Sequence, residues 1–189
     1  MLKVTEKAPK LTLQGDDGEV HEVGGAAGTV IVYFYPKDDT PGCTTEAKEF
    51  SAAAARFAEA GAVVVGVSKD SVASHRKFRD KYGLSVRLLS DPDLRAHTAF
   101  GAYGEKTLYG KKVMGTIRST FILRDGKVAR VFPKVKVAGH VDAVLAALGE
   151  LSGGEGAAPA AKKPAAKKPA AKKPATKKPA TKKGGGAGP

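Results

Sequence analysis

Cysteine occurs once in the sequence, at Cys43. A lone cysteine cannot close an intrachain disulfide, and no Cys/His pairs fall at zinc-ligand spacing, so neither a disulfide scaffold nor a metal site is expected, and no cofactor is implied. The four histidines, His21, His75, His97 and His140, are scattered and read as surface or satisfied side chains. No stretch reaches the roughly 18 consecutive apolar residues that a membrane helix needs. The opening MLKVTEKAPK holds no apolar run of the signal-peptide kind. Together these absences point to a reducing cell interior, the cytoplasm, and to no membrane partner.

Residues 152–189 lack other things. No aromatic or aliphatic side chain larger than alanine follows Leu151, and this stretch holds one acid, Glu155, against ten lysines, a net +9. The remaining residues 1–151 carry twenty-two basic and eighteen acidic side chains, a net +4, so most of the formal +13 belongs to the end of the chain. Lys-Lys-Pro recurs every five residues, as Lys162-Lys163, Lys167-Lys168, Lys172-Lys173 and Lys177-Lys178, with Lys182-Lys183 closing the series. Such a segment has no apolar surface whose burial could offset its ordering entropy, and its prolines block helix. The expectation is one domain over residues 1–151 and a disordered basic tail with polyproline II character over 152–189.

Within the first part, strands and helices alternate. Leu11 to Leu13 and Val20 to Val23 flank Asp16-Asp17-Gly18, a turn signal. TVIVYFY from Thr29 to Tyr35 and AVVVGVS from Ala62 to Ser68 are dense, β-branched runs that read as central strands buried on both faces. Between them, residues 44–60 predict a helix, with Phe50 and Phe57 on one face. Ser71 caps a predicted helix that Gly83 stops after Tyr82. A short strand at Arg87 to Leu89 precedes Asp91-Pro92, a helix start, and a helix to about Phe100. Residues 102–115, with three glycines and no sustained period, read as a loop. Ser119 to Leu123 and Val128 to Phe132 flank Asp125-Gly126 as a hairpin. Val141, Val144, Leu145 and Leu148 line one face of a closing helix. This is an α/β order with a mixed central sheet flanked by helices, the pattern of a thioredoxin-like fold.

The chemistry gathers at the lone cysteine. Tyr35-Pro36-Lys37-Asp38-Asp39-Thr40-Pro41-Gly42-Cys43-Thr44-Thr45-Glu46 joins a central strand to a helix, where open α/β sheets place their sites. The unpaired N–H groups of a first helical turn favour an anion, so a thiolate is stabilised there. Pro41 and Gly42 suit a tight entry, and Thr40 can aim a hydroxyl at the sulfur. A buried structural cysteine would need none of these neighbours.

Pro36-x-x-x-Thr40-x-x-Cys43 resembles the peroxidatic motif of peroxiredoxins, and YFYPKDDTPGCTTE is similar to the peroxiredoxin Q (bacterioferritin comigratory protein) subgroup. Ala8 to Leu13, Tyr103-Gly104-x-Lys106 with Tyr109-Gly110-Lys111, and Gly115 to Ile122 agree with it. The resemblance implies thiol-dependent reduction of hydrogen peroxide and organic hydroperoxides by way of a sulfenic acid on Cys43. It also implies that Thr40 and Arg118 serve with Cys43 in catalysis, while Pro36, Gly42 and Glu46 shape the substrate site, Glu46 by orienting Arg118. The subgroup often carries a resolving cysteine five residues after the first; that position here is Lys48. A one-cysteine cycle is therefore expected, with thioredoxin, glutaredoxin or a low-molecular-weight thiol as the outside reductant, in a monomer or weak homodimer.

The tail resembles the Lys/Ala/Pro tails of linker-histone-like proteins. Its lysine pairs meet phosphates without reading bases, so nucleic acid or another polyanion is the expected partner. This would place the enzyme at the nucleoid, or the nucleus in a eukaryote. The alternative function is a nucleoid or chromatin-binding protein whose peroxiredoxin-like body turns over weakly.

Overall fold

Strand β3 (Thr29–Phe34) pairs in parallel with β4 (Ala62–Ser68), from Thr29 against Ala62 to Phe34 against Val67, and the two form the middle of the molecule. The computed structural model describes residues 1–108 and 110–151, so Tyr109 and the tail expected over 152–189 lie outside the described residues. On the far side of β4, β5 (Arg87–Ser90) adds in parallel, and the antiparallel pair β1 (Leu11–Gly15) and β2 (Val20–Val23) continues the sheet. On the other side of β3, β8 (Ser119–Arg124) and β9 (Lys127–Phe132) add antiparallel. The result is a seven-stranded mixed sheet in the order β2-β1-β5-β4-β3-β8-β9. Asp125 and Gly126 both take positive φ, 48° and 73°, in the β8–β9 turn, as a two-residue hairpin of this sequence demands.

Helices α1 (Pro41–Ala52), α2 (Ala54–Glu59), α3 (Val72–Tyr82), α4 (Arg95–Phe100) and α5 (His140–Leu151) complete the α/β order. The period of two along β3 sorts its side chains into two cores. Ile31, Tyr33 and Tyr35 pack with Phe50, Phe57, Phe78 and Leu148 on one face. Val32 and Phe34 pack with Leu89, Phe100 and Phe121 on the other. Each aliphatic or phenylalanine side chain among them contributes about 1.5–3 kcal/mol by leaving water. Among the described residues no helix is long and apolar enough to cross a membrane.

Three local expectations change. The helix expected over 44–60 begins at Pro41 and divides at Ala53, whose ψ of 2° breaks the helical path between α1 and α2. No residue type marks the break, since Ser51-Ala52-Ala53-Ala54 is sound helical sequence. The helix expected from Asp91-Pro92 begins at Arg95; the Asp91 carboxylate accepts from the N–H groups of Arg95 and His97 at 2.9 Å, and Leu94 turns the chain with φ +56°. The expected loop over 102–115 is instead a two-stranded antiparallel ribbon, β6 (Tyr103–Leu108) with β7 (Lys111–Thr116). Its strands pair only with each other and leave Met114 exposed, so they need no apolar alternation and show none.

One close approach governs the middle of the sheet. A Cβ on Gly66 would come within 2.6 Å of the Tyr33 ring and 3.0 Å of Leu88, both fully buried. Gly66→Ala is expected to lose about 1–3 kcal/mol of stability through overpacking. Urea unfolding measures it directly, and a loss below about 0.5 kcal/mol would mean that Tyr33 yields freely.

Candidate active site

Chain direction brings the cysteine loop to the C-terminal edge of the parallel pair. The Tyr35 N–H still bonds to the Val67 carbonyl at 3.1 Å, then the chain leaves the sheet and enters α1. Pro41, Gly42 and Cys43 are the first three residues of that helix, and proline costs nothing at a first position whose N–H has no helical acceptor. Thr40 is the N-cap in extended backbone, but its side chain makes no capping bond; its hydroxyl donates to the Lys37 carbonyl at 3.1 Å. A Cβ on Gly42 would make only ordinary contacts, at 3.5 Å from Arg118 and 4.0 Å from Val137, so space does not demand glycine there.

Cys43 is 2% exposed, and Arg118 Nη2 donates to its sulfur at 3.2 Å. The other terminal nitrogen of Arg118 pairs with Glu46 Oε2. Cys43 and Glu46 stand three residues apart on one face of α1, so one guanidinium serves both. Glu46 is buried, and its Oε1 has no hydrogen-bond partner among the described residues. Burial pushes the Glu46 carboxyl up to about 7, against the opposing pull of Arg118. His140 faces the same cation with its Nε2 2.8 Å from the Thr120 hydroxyl; burial and then Arg118 lower it to about 4. Pro36 and Arg118 border a cleft of about 480 Å³, and Cys43 is not part of its lining.

A second set of polar groups holds the loop from below. The buried Asp38 carboxylate accepts from the Tyr35 hydroxyl at 2.7 Å and the Ser74 hydroxyl at 2.7 Å, and lies 2.9 Å from His75 Nδ1. Burial works against its charge, but His75 and these hydroxyls hold the Asp38 carboxyl below its ordinary range. The Asp38 N–H donates to Asp70, which also accepts from the Ser68 hydroxyl at 2.7 Å. The loop before Cys43 is thus tied to the end of β4 and the first turn of α3. Sequence reasoning missed this set, because Asp38 and His75 are 37 positions apart and no spacing rule joins them.

The described residues contain no cluster of His, Cys, Asp and Glu able to hold a metal. Of the histidines, only His21 is partly exposed, against Asp17; His75 and His97 are buried with one ring nitrogen on a carboxylate and the other without a partner among the described residues. Lys48 is exposed, its ammonium 5.4 Å from the centroid of the Tyr82 ring. The six site residues expected within residues 1–151 fall on the cysteine loop, the first turns of α1 or the strand end beside them, while the ten tail lysines lie outside the described residues. A buried thiol is thus in contact with a guanidinium at the head of a helix, at the edge of a mixed sheet.

Comparison with known proteins agrees. The AhpC/TSA family model matches residues 4–131. A peroxiredoxin Bcp of Xanthomonas campestris pv. campestris is 53% identical over 120 residues, covering 63% of this chain and 75% of its own length. The peroxiredoxin Bcp of Bacillus subtilis is 43% identical over 153 residues, 80% of this chain and 98% of that one. A solved structure of Xanthomonas campestris peroxiredoxin Q superposes with a TM-score of 0.71 at 47% identity, covering 75% of this chain and 91% of that one. The chain belongs to the AhpC/TSA family, within its Bcp/peroxiredoxin Q subgroup: it has the thioredoxin-like fold and is a peroxiredoxin, a thiol peroxidase acting on peroxide with a thiol reductant.

The two buried groups beside Arg118 respond to acid in opposite directions. Glu46, raised to about 7 from 4.5, binds its proton in the native state first, so it adds stability as pH falls from about 7 to 4.5. His140, lowered to about 4 from 6.5, stays neutral where the unfolded chain is already protonated, so it removes stability as pH falls from 6.5 to about 4. Each contribution is at most about 3 kcal/mol, and in the intact chain they offset one another. Urea unfolding from pH 7 to 4.5 should give nearly constant stability for the unaltered protein, a fall of about 2–3 kcal/mol for Glu46→Gln and a rise of similar size for His140→Asn. A Glu46→Gln profile parallel to that of the unaltered protein would contradict the assignment.

Proposed function

We propose that the protein reduces hydrogen peroxide and organic hydroperoxides through a one-cysteine cycle in which Cys43 is the peroxidatic residue. The observation that carries this reading is the 3.2 Å contact between Arg118 Nη2 and the Cys43 sulfur at the head of α1. The Cys43 thiolate attacks the near peroxide oxygen, the O–O bond breaks, and Cys43 becomes a sulfenic acid while the far oxygen leaves with its electron pair. Arg118 supplies a fixed planar cation to the charge that develops there, joined by the Thr40 hydroxyl and the Cys43 backbone N–H. Glu46 is a positioning residue that holds Arg118 in place. Pro36 shields the sulfur from bulk water, and Gly42, beside Arg118, brings its backbone to the substrate site without a steric need for glycine. Since the sequence holds no second cysteine, a thiol from outside must reduce the sulfenic acid: thioredoxin, glutaredoxin or a small thiol.

Cys43→Ser keeps the side-chain volume and should abolish peroxide turnover without unfolding the protein. Thr40→Val and Arg118→Ala should each slow sulfenic acid formation by about 30- to 1,000-fold, the loss of one oxyanion donor. Stopped-flow kinetics with a dimedone-type trap reads this step alone. Substantial turnover in a folded Cys43→Ser protein would overturn the reading.

In the same proposal, residues 1–151 are the enzyme and residues 152–189 a linker-histone-like tether that keeps a cytoplasmic, monomeric or weakly dimeric enzyme on nucleic acid. Support comes from ten lysines in five pairs, each able to meet phosphate, with no side chain suited to reading a base. The full chain should bind duplex DNA without sequence preference. A plot of log K against log salt should have a slope of about −4 to −7, below the limit near −9 for ten phosphates. Removing residues 152–189 should abolish most binding and leave sulfenic acid formation unchanged. Equal DNA affinity of the shortened protein at moderate salt would refute the tether.

A further inference from the structure

We infer that the cleft beside Arg118 is the docking site for the reductant, and that this reductant is a low-molecular-weight thiol bearing carboxylates; the inference rests on the one-cysteine cycle proposed above. The cleft's volume of about 480 Å³ is within the range of about 300–1,000 Å³ that small-molecule sites occupy. It is far too small to enclose a folded reductant, and its wall is Arg118, the residue already in contact with the Cys43 sulfur. A molecule in the cleft therefore touches the residue that itself touches the sulfur.

The lining is cationic, and one of its two lysines is held in place. Lys106 enters from β6 with its ammonium on the Thr116 carbonyl at 3.1 Å. Lys134, an exposed residue, also borders the cleft, on left-handed backbone, φ +51°, a conformation unusual for a residue with a Cβ. The next residue fixes that side, since the Val135 N–H donates to the Arg118 carbonyl at 2.9 Å. Glu105 is the one acid of the lining, and Lys112 already pairs with it at 3.1 Å. Neither Lys106 nor Lys134 has a carboxylate partner among the described residues. Two lysines without carboxylate partners among the described residues, bordering one recess, gather small anions.

The thiol requirement selects which anion. With no second cysteine in the chain, the sulfenic oxygen must leave through attack by an outside thiol. The thiol R′SH attacks the Cys43 sulfur, an S–S bond forms, the S–O bond breaks, and the hydroxyl departs as water with the thiol's proton. A second R′SH then displaces Cys43, giving R′SSR′ and the free thiol, so two thiols are oxidised for each sulfenic acid reduced. Cys43 is 2% exposed, so this exchange requires the first turn of α1 to lift; Thr40 places no side-chain bond on that turn. Carboxylates held by Lys106 and Lys134 would keep the small thiol at the cleft while the turn opens.

The test compares glutathione with its dimethyl ester as reductants of pre-formed Cys43 sulfenic acid, each rate divided by the thiolate fraction at the assay pH. At low salt the unaltered protein should prefer glutathione by about tenfold, and 0.5 M salt should erase most of the preference. In the double variant Lys106→Gln/Lys134→Gln the two thiols should react at similar rates. Equal rates in the unaltered protein overturn the inference, as does a preference that survives in the double variant. A carboxylate preference that appears only in the peroxide step, with a hydroperoxy acid against its ester, assigns the cleft to peroxide and overturns it too. Recycling by thioredoxin but by neither small thiol has the same consequence. If the unaltered protein forms no dimedone-trappable sulfenic acid at all, the one-cysteine reading itself fails, and that is visible before any thiol is added.

Discussion

A guanidinium held between a sulfur and a carboxylate is the interaction on which the buried polar structure around Cys43 depends. Arg118 meets Cys43 at 3.2 Å and pairs with Glu46, and both partners are almost wholly out of water. Without the cation, a carboxylate would be buried with one oxygen already unpartnered, an arrangement that typically costs about 3–5 kcal/mol once its ion pair is broken. The same positive charge helps to keep His140 neutral. Fold stability, the charge state of two neighbours and the electrostatics at the sulfur therefore share one side chain.

The sheet delivers that arrangement by register. Phe34 pairs with Ser119 across β3 and β8, so Arg118 lies just beyond the last paired position, level with the point where the cysteine loop departs. A slip of one residue would turn Arg118 to the opposite face and leave Glu46 alone. The loop is fixed independently on its other side, where Asp38 gathers Tyr35, Ser74 and His75 and its N–H reaches Asp70. Two polar constructions from separate parts of the chain thus hold the turn that presents Cys43.

What could be read from sequence was what is local. The strands of the central pair, the Ser71 and Gly83 helix ends and the Asp125-Gly126 turn are each signalled within a few residues, and each is found. Cys43 and Thr40 stand in one short motif; Arg118 was reachable because a second motif resembled the same family. The ribbon of β6 and β7 escaped because strands that pair only with each other and face solvent carry no alternation of apolar residues. The division at Ala53 escaped because nothing in an alanine-rich run distinguishes one long helix from two short ones. The Asp38–His75 pair escaped because its spacing is a property of the fold, visible only when β4 and α3 are placed beside the cysteine loop.

A double-mutant cycle on Arg118 and Glu46 tests the central claim, that these two side chains act on Cys43 as a unit. Second-order rate constants for sulfenic acid formation would be measured for the unaltered protein, Arg118→Lys, Glu46→Gln and the double variant at one pH and salt concentration. If Glu46 works only through Arg118, the losses are not additive. The double variant should then be scarcely slower than Arg118→Lys, with a coupling above about 1 kcal/mol. Losses that add within about 0.5 kcal/mol would show two independent effects and contradict the account.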